Sequence, residues 1–425
     1  MTRRDMLATG VTMGAGLLFG LPASAARSYR ANGRLRIGIV GVAHRGQANL
    51  DGVAAEEITA LCDVDASLAR QAHARFPKAA VYSDFRRMMD ESALDAVVIS
   101  TPDHTHAPVA AMALRRGLHV YCEKPLTHTV AEARLLTDLA RGSTCTTQMG
   151  IQIHAGSNYR RVVEAIRSGA IGVCSEVHVW CGGSYSPGDR PLDTPAVPAD
   201  LDWDLWLGPA PERPYNPAYV PFHWRGWWDF GNGMLGDMAC HHMDLPYWAL
   251  DLGDPIEITA EGPPVHPESA PSWLIVRYRI PSRTDARTVR LTWYHGDKRP
   301  PYFAQGLLPS WGNGTLFVGD RGMLIADYDK HSLLPSDRFA SWTPPPRSIS
   351  ESPGHHAEWI EACKSGNKAS CDFAYAGRLT EAVLLGNVAY RCGEPIVWDA
   401  KRLAIPNAPR AESLLRRRYR HGWRL

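Results

Sequence analysis

The sequence is short of the features that mark specialised protein classes. It lacks an excess of one charge: 46 Lys and Arg stand against 44 Asp and Glu, a formal net charge of +2. A general nucleic-acid binder carries a basic face or stripe, so that class is excluded. Its nine cysteines form no CxxC pair and are odd in number, which argues against a disulfide framework or a zinc ribbon. They read instead as small buried hydrophobes. The uncharged run Met6–Leu21 contains Gly10, Gly14, Gly16 and Gly20 and falls short of the roughly 20 apolar residues of a membrane span. What the chain does have is an ordinary globular balance, 45% hydrophobic and 21% charged, which excludes wholesale disorder. At 425 residues it is long enough for two domains.

The two ends read differently from the middle. Arg3-Arg4 precedes Met6–Leu21, and Ala23-Ser24-Ala25 offers a cleavage site. Residues 1–26 therefore resemble a twin-arginine export signal, and a folded, periplasmic protein is expected, with the membrane met only through that signal. At the other end, 407–425 is basic (Arg410, Arg416, Arg417, Arg418, Arg420, Arg424) and reads as a solvated tail.

From Leu35 onward short apolar runs alternate with helical ones. Leu35–Val40, Ile58–Cys62, Ala96–Ser100, His119–Cys122 and Thr144–Met149 read as strands; Ala66–Arg75, His106–Arg116 and Val130–Arg141 read as helices. This order predicts an α/β domain over 34–153, a parallel sheet with helices on both faces. The first turn carries Gly41, Ala43 and Gly46 in the places of G-x-G-x-x-G, with His44 and Arg45 between them. The outer glycines suit a tight turn and close helix packing, and the helix N-terminus suits a pyrophosphate. Asp63 follows Gly41 by 22 residues and closes the second strand, where a carboxylate would hold ribose hydroxyls. Its charge favours NAD over NADP, although His44 and Arg45 leave NADP open. Two further strand ends face the same crevice: Thr101-Pro102-Asp103-His104-Thr105-His106 and Glu123-Lys124-Pro125. A lysine beside an oxidised nicotinamide is placed to handle the proton of a hydroxyl.

The rest of the chain, 154–406, reads as an α+β domain. Val173–Trp180, Trp273–Ile280, Val289–Tyr294, Thr315–Val318 and Met323–Ala326 cluster as strands without intervening helices, so a large, mostly antiparallel open sheet is expected. A flat sheet face needs cover, and a second copy of the chain predicts a homodimer or homotetramer. The Pro187–Pro221 stretch reads as an ordered loop, with Trp203, Trp206, Trp224, Trp227 and Trp228 in it or just after it. Indole faces suit sugar C–H faces, and Trp224 is a candidate contact. Asp237 and His241 are four apart, on one face of a helix, where the carboxylate would orient the imidazole as a base. His178 is a further pocket candidate. No HxH or HxxxH pair joins these residues, so no metal is expected.

These elements together resemble the Gfo/Idh/MocA oxidoreductase family, the relatives of glucose–fructose oxidoreductase and inositol dehydrogenase. The resemblance rests on Ile37–Gly46, Asp63, Thr101–His106, Glu123-Lys124-Pro125 and the run from Gly231 to Asp244 that holds Asp237 and His241. Gly377–Asn387 resembles a branch of exported members. The resemblance implies a Rossmann domain, NAD(P)-dependent hydride transfer on a sugar, polyol or glycoside hydroxyl, and a carbohydrate-sized substrate. It implies that Lys124 contacts nicotinamide and substrate, that Asp237 and His241 flank the substrate, and that Gln152 joins the cofactor side. Ala43 and Asp103 depart from the family's usual glycine and asparagine, and Ile151 from an asparagine of the exported branch. The same residues suit two other activities: glycoside cleavage through transient oxidation and elimination, or sugar sensing without turnover.

Overall fold

The structure is a computed structural model and describes residues 33–425. The export-signal segment 1–26 lies outside the described residues.

The first sheet has six strands in the order β3-β2-β1-β4-β5-β6, with every pair parallel. They are β1 (Arg36–Val40), β2 (Glu57–Cys62), β3 (Ala80–Tyr82), β4 (Ala96–Ile99), β5 (His119–Glu123) and β6 (Thr147–Gly150). Helices α1 (Arg45–Gly52), α2 (Ala66–Arg75), α3 (Phe85–Glu91), α4 (Asp103–Arg115) and α5 (Val130–Arg141) connect them. β1, β4 and β5 are buried on both faces, which is why they read as unbroken apolar runs. Sequence reasoning missed β3 and α3, because both are short and β3 is largely exposed. α4 starts three residues before the expected His106, at Asp103. Pro108 sits inside α4 and brings no N–H to the carbonyl of His104.

Helix α6 (Ser157–Arg167) leads into the second sheet, whose order is β13-β12-β11-β7-β10-β9-β8-β14. Its strands are β7 (Cys174–Gly182), β8 (Glu257–Glu261), β9 (Leu274–Pro281), β10 (Thr288–Gly296), β11 (Asn313–Gly319), β12 (Gly322–Ala326), β13 (His331–Leu334) and β14 (Ile396–Val397). The sheet is mixed: β7 and β10 pair in parallel, and the other pairs are antiparallel. Between β7 and β8 the chain makes a long aromatic insert with α7 (Trp203–Leu207), then α8 (Gly233–Ala249). After β13 come α9 (His355–Ser365) and α10 (Phe373–Cys392). α8 and α10 cover one sheet face, and the other carries a groove lined by Glu176, His178, Arg290 and Tyr294.

The insert is pinned to the first domain. Asp202 N donates to Val64 O (2.9 Å), Ala66 N donates to Asp200 O (2.8 Å), and the His104 ring meets Trp206 O at 2.9 Å. Trp206, Trp227 and Phe230 are buried, and Trp203 stacks on Trp206 at 4.7 Å. The basic tail corrects the expectation of a solvated end: Arg417, Tyr419 and Arg420 bond to Glu132, His104 O, Asp204 and Gly208 O.

Candidate active site

One cavity of 870 Å³ runs along the carboxyl ends of the first sheet and under the insert and α8. Pockets of this size suit a cofactor with a small substrate.

The β1–α1 turn forms one wall. Gly41 has φ +84, and a Cβ there would lie 2.8 Å from Ser100 O. Gly46 does not face the cavity; it lets α1 pack close, since a Cβ there would lie 2.0 Å from Gly41 O. Ala43, His44 and Arg45 line the cavity. His44 is the N-cap of α1, yet its side chain makes no capping bond, and the first turn holds no acid. Gly46 N turns back to Ala43 O at 2.8 Å, and the neighbouring N–H groups of the first turn, with no side-chain cap, are placed to meet a phosphate. Asp63 faces the cavity with its carboxylate fixed by Val42 N (3.0 Å) and Asp65 N (3.0 Å). Burial raises its pKa against those two hydrogen bonds. This cradle fits a dinucleotide, with Asp63 set for ribose hydroxyls.

Thr101, Pro102 and Asp103 line the middle of the cavity. Asp103 is 4% exposed and accepts from Asn232 Nδ2 at 3.2 Å. Burial pushes its carboxyl up to about 7, assisted by the nearby Asp237 charge. His106 corrects its assignment as a cofactor contact. It is buried outside the cavity, with Nδ1 at 2.8 Å from Pro125 O and Nε2 at 2.8 Å from Thr101 O. It ties the two strand-end turns together.

Glu123 lines the cavity as the hub of a polar network. It accepts from Arg45 Nε (3.0 Å), Asn49 Nδ2 (2.9 Å) and Gln152 Nε2 (2.7 Å). Burial would raise its pKa, but the charges of Arg45 and Lys124 and these bonds outweigh it and hold the carboxylate ionised. Glu123 is therefore a fixed anion that positions Arg45 and Gln152.

Lys124, Asp237 and His241 meet in the same cavity. The Lys124 ammonium bonds to the Asp237 carboxylate and donates to Asp237 O at 2.7 Å. Tyr185 Oη donates to the same carboxylate at 2.8 Å, and Arg225 Nε lies 3.4 Å from it. Burial alone would raise the Asp237 pKa, but Lys124, Arg225 and Tyr185 hold it well below the usual carboxylate range. The expectation that Asp237 orients His241 is corrected: its carboxylate is engaged by these three side chains, so it positions Lys124. Burial, reinforced by the Lys124 charge, keeps the His241 imidazole neutral. Trp224 lines the cavity, with the Arg225 guanidinium 4.3 Å over its ring.

His178 corrects another assignment. It lies on β7 in the groove on the sheet's other face, bonded to Tyr294 Oη (2.9 Å) and Glu176 Oε1 (2.6 Å). Sequence reasoning missed Tyr185 and Arg225. Tyr185 comes from coil and Arg225 from a single 3-10 turn (His223–Gly226), and the one available signal for Arg225 was its place among tryptophans. His242 turns away from the cavity and stacks on Tyr328.

The comparisons with known proteins decide the family. Residues 35–151 match the Gfo/Idh/MocA model described as an oxidoreductase family with an NAD-binding Rossmann fold. Residues 159–305 match that family's C-terminal alpha/beta domain. The chain belongs to the Gfo/Idh/MocA oxidoreductase family. Its first sheet and flanking helices are that family's NAD-binding domain, and the nucleotide cradle above is the NAD site of this fold. A glycosyl hydrolase family 109 protein of Solibacter usitatus is 34% identical over 193 residues, 40% of this chain and 43% of that protein. Inositol 2-dehydrogenase 2 of Saccharopolyspora erythraea is 31% identical over 182 residues, 41% of this chain and 53% of that protein. These matches span about half the length of those curated relatives or less. The fold also matches the WlbA dehydrogenase of Bordetella pertussis, solved with NADH and UDP-GlcNAcA. The TM-score is 0.62 at 16% identity, over 86% of this chain and 99% of that one.

Proposed function

We propose that the protein is an NAD-dependent oxidoreductase acting on a hydroxyl of a sugar, polyol or glycoside. The observation that carries this is one cavity holding both the dinucleotide cradle and the Lys124, Asp237 and His241 cluster. NAD, when bound, supplies a two-electron acceptor for hydride from a carbinol carbon. The chain's residues do the rest. Asp237, its carboxylate fixed by the Tyr185 hydroxyl, holds the Lys124 ammonium as a hydrogen-bond donor to the substrate oxygen. The neutral His241 ring accepts the hydroxyl proton at a ring nitrogen. Trp224 offers an aromatic face at the substrate end. The inositol dehydrogenase relative supports a polyol-sized substrate.

The signal-like segment 1–26 supports export in the folded state to the periplasm. There a cofactor retained by the protein and recycled by a second substrate is the economical arrangement. On the second sheet's other face the 302–311 segment covers Trp180, Leu316 and Ile325, and the part it leaves open over β8, β9 and β10 supports a homodimer or homotetramer.

A second reading draws on the relative named for glycoside hydrolysis. Oxidation at one carbon acidifies its neighbour, so a glycosidic bond can leave by elimination, with the hydride returned afterwards. The test is to purify the chain, assay for co-purifying nicotinamide, and offer polyols, sugars and aryl glycosides. Net NADH formation on a free sugar or polyol supports the first reading. Released aglycone without net NADH supports the second. A chain that neither retains nor binds a dinucleotide overturns both.

A further inference from the structure

The tail beyond Leu415 is anchored by groups that the rest of the fold leaves waiting. Pro108 deprives the His104 carbonyl of its helical donor, and Arg417 Nη2 fills that place at 2.5 Å. Glu132 caps α5 through Oε2, which accepts from Thr129 N (2.9 Å) and His128 N (3.1 Å). Its other oxygen accepts from Arg417 Nε (2.8 Å) and Tyr419 Oη (2.6 Å). Arg420 then crosses to the insert, bonding to Gly208 O (2.5 Å) and Asp204 Oδ1 (2.6 Å). The tail therefore clamps α4 and α5 to α7.

This route delivers Trp423 to the cavity wall. Its ring lies 6.0 Å from Phe85, and the Arg86 guanidinium sits 4.6 Å over it. Arg86 is itself held by Asp84 at 2.7 Å. Leu68, Phe85 and Leu205 line the same cavity. Phe85 follows β3, beyond the Asp63 strand end and across the sheet from Lys124. A dinucleotide with its phosphates at the β1–α1 turn and its reactive ring at Lys124 places its other ring here, at apolar and aromatic walls.

We propose that Trp423 is a binding residue for the adenine end of the dinucleotide, and that the strap 416–423 sets how fast the dinucleotide leaves. The proposal rests on the NAD-dependent reading above and adds to it a side chain, Trp423, that lies outside the matched family segments. Release requires this wall or the insert to move, and the strap ties the two together.

The test is the rate at which bound NADH is displaced by excess ADP-ribose, followed by nicotinamide fluorescence. Wild-type chain, W423A, W423F and a chain ending at Arg420 are compared, with the exposed Arg424→Ala as control. W423A and the shortened chain should release NADH about tenfold faster, the scale of one lost base–aromatic stack. W423F should keep most of the slow release, and R424A all of it. Nicotinamide mononucleotide, which lacks adenine, should bind W423A as it binds wild type. Unchanged melting temperature keeps the comparison free of unfolding. W423A releasing NADH at the wild-type rate overturns the wall, as does equal weakening of the mononucleotide. Wild-type chain that binds no NADH overturns the functional reading itself, and the wall with it.

Discussion

Lys124 is the residue on which the chemistry turns, and its neighbours make it testable. Arg225 and Tyr185 still satisfy Asp237 when the lysine is removed, so Lys124→Ala should fold. Turnover should fall about 10²–10³-fold, the range of one lost hydrogen-bond donor to the reacting oxygen, with NADH affinity little changed. Steady-state kinetics beside a binding titration check this; turnover near wild type would remove Lys124 from the mechanism. Asp103 gives a different handle. Burial raises it to about 7, so the folded chain keeps a proton that the unfolded chain releases near pH 4. Its contribution to stability is fully present below that pH and is lost as pH rises to about 7, by at most about 1.4 kcal/mol per pH unit. Asp237 runs the other way, but its window lies below the usual carboxylate pKa and does not overlap. Buried histidines such as His242 and His355, held down to about 4, add stability as pH rises toward about 6.5, so the test is a difference: relative to wild type, Asp103→Asn should gain stability between about pH 5 and about pH 7 and be more stable at about pH 8. Urea midpoints across that range measure it; an unchanged slope would place the titration elsewhere. Both residues were legible in the sequence because each follows closely on the end of a buried strand. The Asp237–Lys124 pairing was not, because helical spacing points Asp237 toward His241 and carries no information about a strand end 113 residues away.

At the scale of elements, the β1–α1 turn is a joint closed on backbone. A Cβ at Gly46 would overlap Gly41 O, so Gly46→Ala should cost about 1–3 kcal/mol and weaken NADH binding with it. Thermal melts and a titration test both; a variant with wild-type stability would mean that the turn relaxes freely. The parallel strands were readable because burial on both faces leaves continuous apolar runs. β3, β8, β13 and β14 were not, since they are short, and β8 and β13 are only partly buried. The insert was readable as an aromatic loop, but its docking on Val64 and Ala66 was not, because it runs through backbone atoms common to every residue. The tail misled for a related reason. A run of arginines looks solvated until the carbonyl freed by Pro108 and the cap of α5 supply acceptors for it.

Across the whole molecule, the open part of the second sheet's outer face is laced with paired charges: Arg279 with Glu257 (2.8 Å), Arg277 with Glu261 (3.1 Å) and Arg290 with Glu176 (2.7 Å). If a second copy covers this face, reversing Arg277 and Arg279 to Glu should set like charges against each other and separate the copies. Sedimentation should then report one chain where the wild type reports two or more; a wild type sedimenting as one chain would overturn the assembly. A last consequence concerns the order in which the molecule is made. β6 closes the edge of the first sheet, yet its residues bond to later chain: Met149 N donates to Cys371 O (2.9 Å) and Thr147 Oγ1 accepts from Phe373 N (3.0 Å). Trp359 of α9 fills the core beneath β1, and Arg134 of α5 pairs with Glu381 of α10. The nucleotide half thus cannot finish until the ribosome has passed α10. Anyone transplanting it into another protein must carry α9 and α10 along, or the graft will arrive with one side bare.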